Sequence, residues 1–198
     1  MSNRSYGEEA FAQAFQFAPF VPADDHEELR DFLYKFAHNY SEAKEYLNLL
    51  KQLSEIDFDS KSELLFRIQA MALQCFPLAI RRMTDNISKR SMQKLVTKVI
   101  RDEFKDAELQ KIRDIHSHYK LYLDKEVAHQ DEQSVKENLE AFPDTDVIGE
   151  DMNHLKELYM KLVKEVCTKY IGIEADPYDY SVDLNKLLVP KTAKRPKT

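Results

Sequence analysis

Glycine is scarce in this 198-residue chain, with only Gly7, Gly149 and Gly172. That shortage removes whole classes of function. No glycine-rich loop can cradle a phosphate, so P-loop and Rossmann-type nucleotide binding are excluded. Hairpin-rich β architecture is disfavoured too, because sandwiches and barrels need turn formers at each reversal. Cysteine is equally sparse: Cys75 and Cys167 stand among apolar residues with no CxxC or metal-ligand spacing, and read as reduced packing residues. The net charge is −6, so the chain as a whole lacks the basic field that drives non-specific nucleic-acid binding. No apolar run is read as approaching the roughly 18 residues of a membrane span. Around Arg4, Glu8 and Glu9 the start of the chain does not read as a signal peptide. The expectation is a cytoplasmic protein with no membrane association.

What the chain does have is charge, at 32% of residues, and apolar residues at helical spacing. Its length fits one domain with a real core. Leu29, Phe32, Leu33, Phe36, Tyr40, Ala43, Leu47 and Leu50 recur at three- and four-residue steps, predicting a long helix from Asp24–Asp25 to about Leu53. Ser60 and Glu63 form a capping box ahead of Leu64, Leu65, Ile68, Met71, Ala72, Cys75 and Leu78. This second helix should kink at Pro77 and end near Asp85–Asn86. A short helix is predicted within 88–106, and a long one runs from Ala107 through Leu109, Ile112, Ile115, Tyr119 and Tyr122 or Leu123. After the loop around Pro143, a last helix carries Leu155, Leu158, Tyr159, Leu162, Val163 and Val166 on one face. The predicted fold is all-α, an antiparallel bundle of four main helices plus a short one. Residues 1–23 read as an aromatic arm, 24–173 as the bundle and 174–198 as an irregular basic tail.

Candidate chemistry gathers on the long fourth helix. His118, Tyr122, Lys125 and His129 share a stripe at steps of four, three and four. A solvated lysine and a half-buried histidine explain part of that stripe without function. Glu126-Val-Ala-His129 is also a Glu-x-x-His step of the kind that builds carboxylate di-iron bundles, with a partial echo in Asp151-Met-Asn-His154. Such a site needs a second full copy and two more inward glutamates, so no metal or other cofactor is expected. The serines lack a nucleophile-elbow setting and neither cysteine has a histidine in a recognisable motif.

The stretch from Asp124 to His129 and Asp131, with its Ala-His-x-Asp ending, resembles the ribonuclease motif of the HEPN superfamily, in its abortive-infection U-type branch. Ala79-Ile80-Arg81-Arg82-Met83-Thr84-Asp85, followed by Ser91-Met92-Gln93-Lys94-Leu95, is similar to the Arg-Leu-x-Asp and Ser-x-x-x-Leu segments of that branch. The resemblance covers about Asp24 to Ile173. It implies a helical bundle in a defence or toxin–antitoxin setting, pairing as a homodimer, with RNA or a protein as partner. It also implies metal-independent RNA cleavage, with His129 as base or acid and Asp124 orienting it. His118, Tyr122, Arg81 and Arg82 are the candidate RNA contacts. The family's arginine would fall at position 123, which is Leu123. Leucine offers neither charge nor a donor, and loss of one preorganised donor typically costs on the order of 10²–10³ in rate. Lys125 is the nearest substitute cation, without the planar fork that grips phosphate. The expectation is therefore a weakened or inactive relative that binds, with an endoribonuclease or a carboxylate–histidine metal bundle as alternatives.

Overall fold

The computed structural model describes residues 15–56, 63–85, 91–100, 104–128 and 142–170, without the side chains of 121 and 124–128. Five helices pack against one another: α1 His26–Ser54, α2 Glu63–Thr84, α3 Met92–Val99, α4 Lys105–Ala128 and α5 Thr145–Val166. The four long helices and the short α3 match the arrangement expected from the apolar periodicity. The Ser60 half of the predicted capping box lies outside the described residues.

The helix ends follow local chemistry. Asp24, Asp25, Glu27 and Glu28 sit at the start of α1 and Lys51 in its last turn, each sign at the end of the helix dipole that favours it. Ser91 caps α3 through its side-chain oxygen, which accepts from the Lys94 N–H at 3.2 Å. Helix α2 runs on through Pro77, which is buried within it. Proline cannot return a hydrogen bond to the carbonyl four residues back, yet the ring sits in apolar packing and the helix continues to Thr84.

Helices α1 and α2 form an antiparallel pair, since the end of α1 meets the start of α2 and Glu42 of α1 reaches Arg82 near the end of α2. Leu49 and Leu53 pack there with Leu65 and Ala72 in a small satellite core. The main core joins the rest of α1 and α2 to the other helices around Phe36, Phe76, Ile115, Tyr119, Leu155 and Tyr159. Burial of aromatic and branched side chains, at about 1.5–3 kcal/mol each, drives this assembly.

Residues 15–21, read from sequence as part of an arm, contribute to this core. Phe15, Ala18 and Val21 are buried. Gln16–Phe17 (β1) pairs antiparallel with Cys167–Lys169 (β2), in the register Gln16 to Lys169 and Phe17 to Cys167. The Ala18 N–H donates to the Val166 carbonyl at 2.8 Å, so this short pairing ties the end of α5 to residues 16–18. Cys75 and Cys167 are both free, and burial pushes the Cys167 thiol up to about 11, far from a reactive thiolate. One sequence expectation needs correction: α2 is long and apolar enough to cross a membrane by length and composition, with a mean hydropathy of 1.3 over its best window. In this fold one third of that window is buried, in packing on α1 and α4, and Leu64, Phe66, Met71 and Leu78 stay exposed.

Candidate functional site

Helix α4 presents two kinds of face. Ile112, Ile115, Tyr119, Tyr122 and Leu123 recur at three- and four-residue steps and are all buried. Tyr122, at 3% exposure, sets the edge of its ring against Phe142 at 5.0 Å. Phe142 in turn lies against Phe76, and Phe76 meets Tyr119 edge-on at 5.7 Å. The stripe drawn through His118 and Tyr122 is therefore split: Tyr122 belongs to the aromatic packing and His118 stands at the solvent edge.

His118 sits beside a residue that sequence reasoning left out of the site. Its Nδ1 is 3.1 Å from Oδ2 of Asp151 on α5. The histidine side chain is 43% exposed and that of the aspartate 3%. With the proton on Nδ1 the ring donates to the carboxylate, leaving Nε2 as the ring's acceptor. Tyr119 brings its hydroxyl near the same carboxylate without hydrogen-bond geometry. Burial first, and the Asp151 charge second, push that phenol well above the ordinary range. The sequence signal for Asp151 is a carboxylate on an otherwise apolar stripe of Ile148, Met152, Leu155 and Leu158.

One turn along α5, His154 holds Nε2 3.2 Å from Oε2 of Glu108 on α4, out of hydrogen-bond alignment. Burial lowers its pKa from the ordinary value, against the opposing pull of Glu108. Lys161 pairs with the other oxygen of Glu108 at 3.5 Å. Asp151 and His154 thus serve different partners. Among the described residues no three histidine, cysteine or acidic side chains converge on a point where a metal could sit.

The arginines stand on another seam. Arg82 reaches Glu42 of α1 at 3.4 Å, and Glu42 also lies 4.0 Å from His38. Arg82, Lys35, His38, Asn39 and Asp85 rim a cavity of about 430 Å³ between α1 and α2. Arg81 is half-buried near the same helix end. Next to it Thr84, fully buried, lies 3.2 Å from Nδ1 of His116 on α4. His116 thus faces α2 while His118, two residues on, faces α5. The sequence-predicted RNA contacts are divided between these seams, apart from Tyr122, which is in the core.

Ser91 and Leu95, the pair likened to Ser-x-x-x-Leu, cap and bury α3. Leu123, at the position of the family's arginine, is 4% exposed. The side chains of Asp124 and Lys125 lie outside the described residues, as does His129. No protein-family model, curated protein or solved structure matches this chain.

Proposed function

We propose that the chain is a helical interaction module, HEPN-like in the order of its motifs, that works by binding and not by cutting RNA. The observation carrying this reading is the burial of Leu123. An arginine serving there would need its guanidinium in an open cleft, where it could hold phosphate oxygens through the transition state. A leucine turned into the fold supplies packing instead. The order of the Arg81–Asp85, Ser91–Leu95 and Asp124–Asp131 segments supports the family likeness, and with it a cytoplasmic defence or toxin–antitoxin setting.

The test is cleavage of single-stranded and structured RNA without metal, comparing the wild type with His129→Ala as folded proteins. Neither is expected to cut. Cleavage by the wild type that disappears in His129→Ala would replace this proposal with the endoribonuclease reading. One observation favours that second reading: His118 is a part-exposed imidazole paired with a buried carboxylate, an arrangement suited to proton transfer. Because Asp151 and His154 are each engaged elsewhere, the metal-bundle reading gains no comparable support.

A further inference from the structure

Helix α2 carries apolar surface that its own fold leaves open. Leu64 is 66% exposed, Met71 48% and Leu78 38%. Isolated exposed apolar residues are ordinary, but these three follow one another at seven-residue steps. They form a single stripe about 21 Å long at 1.5 Å per residue. A knobs-into-holes seam carries apolar residues at two positions of every seven, and here the half-buried Ile68 and Cys75 fill the second position, four residues after Leu64 and Met71. The seam is narrow, with Glu63, Arg67 and Gln74 directly beside it and exposed. A helix lying in a membrane surface buries a broader apolar face, so the pattern suits a helical partner.

The pattern is also symmetric. Met71 is its centre, with Leu64 seven residues before and Leu78 seven after. An antiparallel copy of α2, related by a two-fold axis beside Met71, sets Leu64 against the copy's Leu78 and Met71 against its own equivalent. The same operation brings Glu63 close to the copy's Arg81 and Arg67 close to its Gln74. A parallel copy would instead set this flank against the partner's opposite flank, so Glu63 and Arg81 would lie on opposite sides of the seam and this pairing of opposite charges would be lost. Antiparallel pairing also aligns opposite helix dipoles. Arg67 and Glu63 pair within the helix at 2.6 Å while 76% and 81% exposed, a surface contact worth little and able to rearrange.

We infer that the exposed face of α2 is a homodimer seam on which a second copy of this chain docks antiparallel, with its two-fold axis at Met71. This deepens the proposed function, resting on the reading of the chain as an interaction module, and it names the partner and the surface. The contact is isologous, so it closes at two copies without forming filaments.

Sedimentation of the full chain over a concentration series tests the mass, and cysteine cross-linking tests the geometry. The wild type should sediment as a dimer. Met71→Glu, which opposes two carboxylates at the axis, should weaken the dimer at least about tenfold, or about 1.4 kcal/mol, with an unchanged helical circular dichroism spectrum. In a Cys75→Ser background, Met71→Cys should cross-link to itself on oxidation. Leu64→Cys alone should not, whereas a mixture of Leu64→Cys and Leu78→Cys should. A wild type that is monomeric throughout, a dimer that survives Met71→Glu, or self-cross-linking of Leu64→Cys overturns the inference. Monomers that pellet with phospholipid vesicles also overturn it and assign the stripe to a membrane surface. None of these outcomes bears on the His129→Ala cleavage comparison, so the two readings fail separately.

Discussion

His118 places Nδ1 3.1 Å from Oδ2 of Asp151, joining a side chain at the solvent edge of α4 to a carboxylate buried on α5. The two partners are unequal in what they lose if separated. A half-exposed imidazole can turn to water. A buried carboxylate cannot, and among the described residues the nearby Tyr119 hydroxyl makes no hydrogen bond to it.

His118→Ala should therefore cost about 1–3 kcal/mol, the penalty for a buried acceptor left unsatisfied. Adding Asp151→Asn should recover part of that loss by removing the stranded charge. Urea unfolding of the two variants and the wild type checks this. A double variant no more stable than His118→Ala would show that the imidazole is not what keeps Asp151 in the core.

The helices were legible from sequence because their apolar faces repeat at three- and four-residue steps, and the ends near Leu53 and Thr84 fell where polar and Asx residues interrupt that repeat. The candidate site was less so. Tyr122 lies within about 40° of His118 around α4, so angular position alone allows both a functional stripe and a core stripe. What separates them is the presence of Phe142 over Tyr122 and Asp151 beside His118, contacts made by residues distant in sequence. The pairing of Gln16–Phe17 with Cys167–Lys169 has the same character, since two residues of strand carry no periodicity to read.

Leu123 separates a packing role from a catalytic one. Leu123→Ala should cost about 2–5 kcal/mol, as truncations of buried leucine do. Leu123→Arg should cost at least about 3 kcal/mol, because a guanidinium replaces an apolar side chain at 4% exposure. Chemical denaturation measures both. Placing there the arginine of the motif that this stretch resembles should therefore yield a destabilised protein without RNA cleavage. A stable, RNA-cutting Leu123→Arg protein would mean that this position opens onto a working cleft.

Ser91 supplies a smaller, local test of the motif that follows α2. Its hydroxyl oxygen accepts from Lys94 N–H and the residue is fully buried. Ser91→Ala should lower stability by about 1 kcal/mol, read by chemical denaturation. An unchanged stability would mean that the hydroxyl does not hold the start of α3.

His154 should make stability depend on pH in a definite direction. Burial lowers its pKa below the ordinary 6.5, so between the lowered value and 6.5 the unfolded chain binds a proton that the folded chain does not. Stability then rises with pH across that interval. The contribution from keeping His154 neutral is present above 6.5 and lost as pH falls through the folded value. Thermal melts on both sides of 6.5 should show a lower midpoint on the acid side, and His154→Gln should flatten that slope. Glu108 opposes the lowering, with its carboxylate 3.2 Å from Nε2. Glu108→Gln should therefore depress the folded pKa further and widen the interval over which acid destabilises the protein. An unchanged slope in both variants would trace the acid sensitivity to other groups, while a shallower slope in Glu108→Gln would mean that the carboxylate, and not burial, governs this histidine.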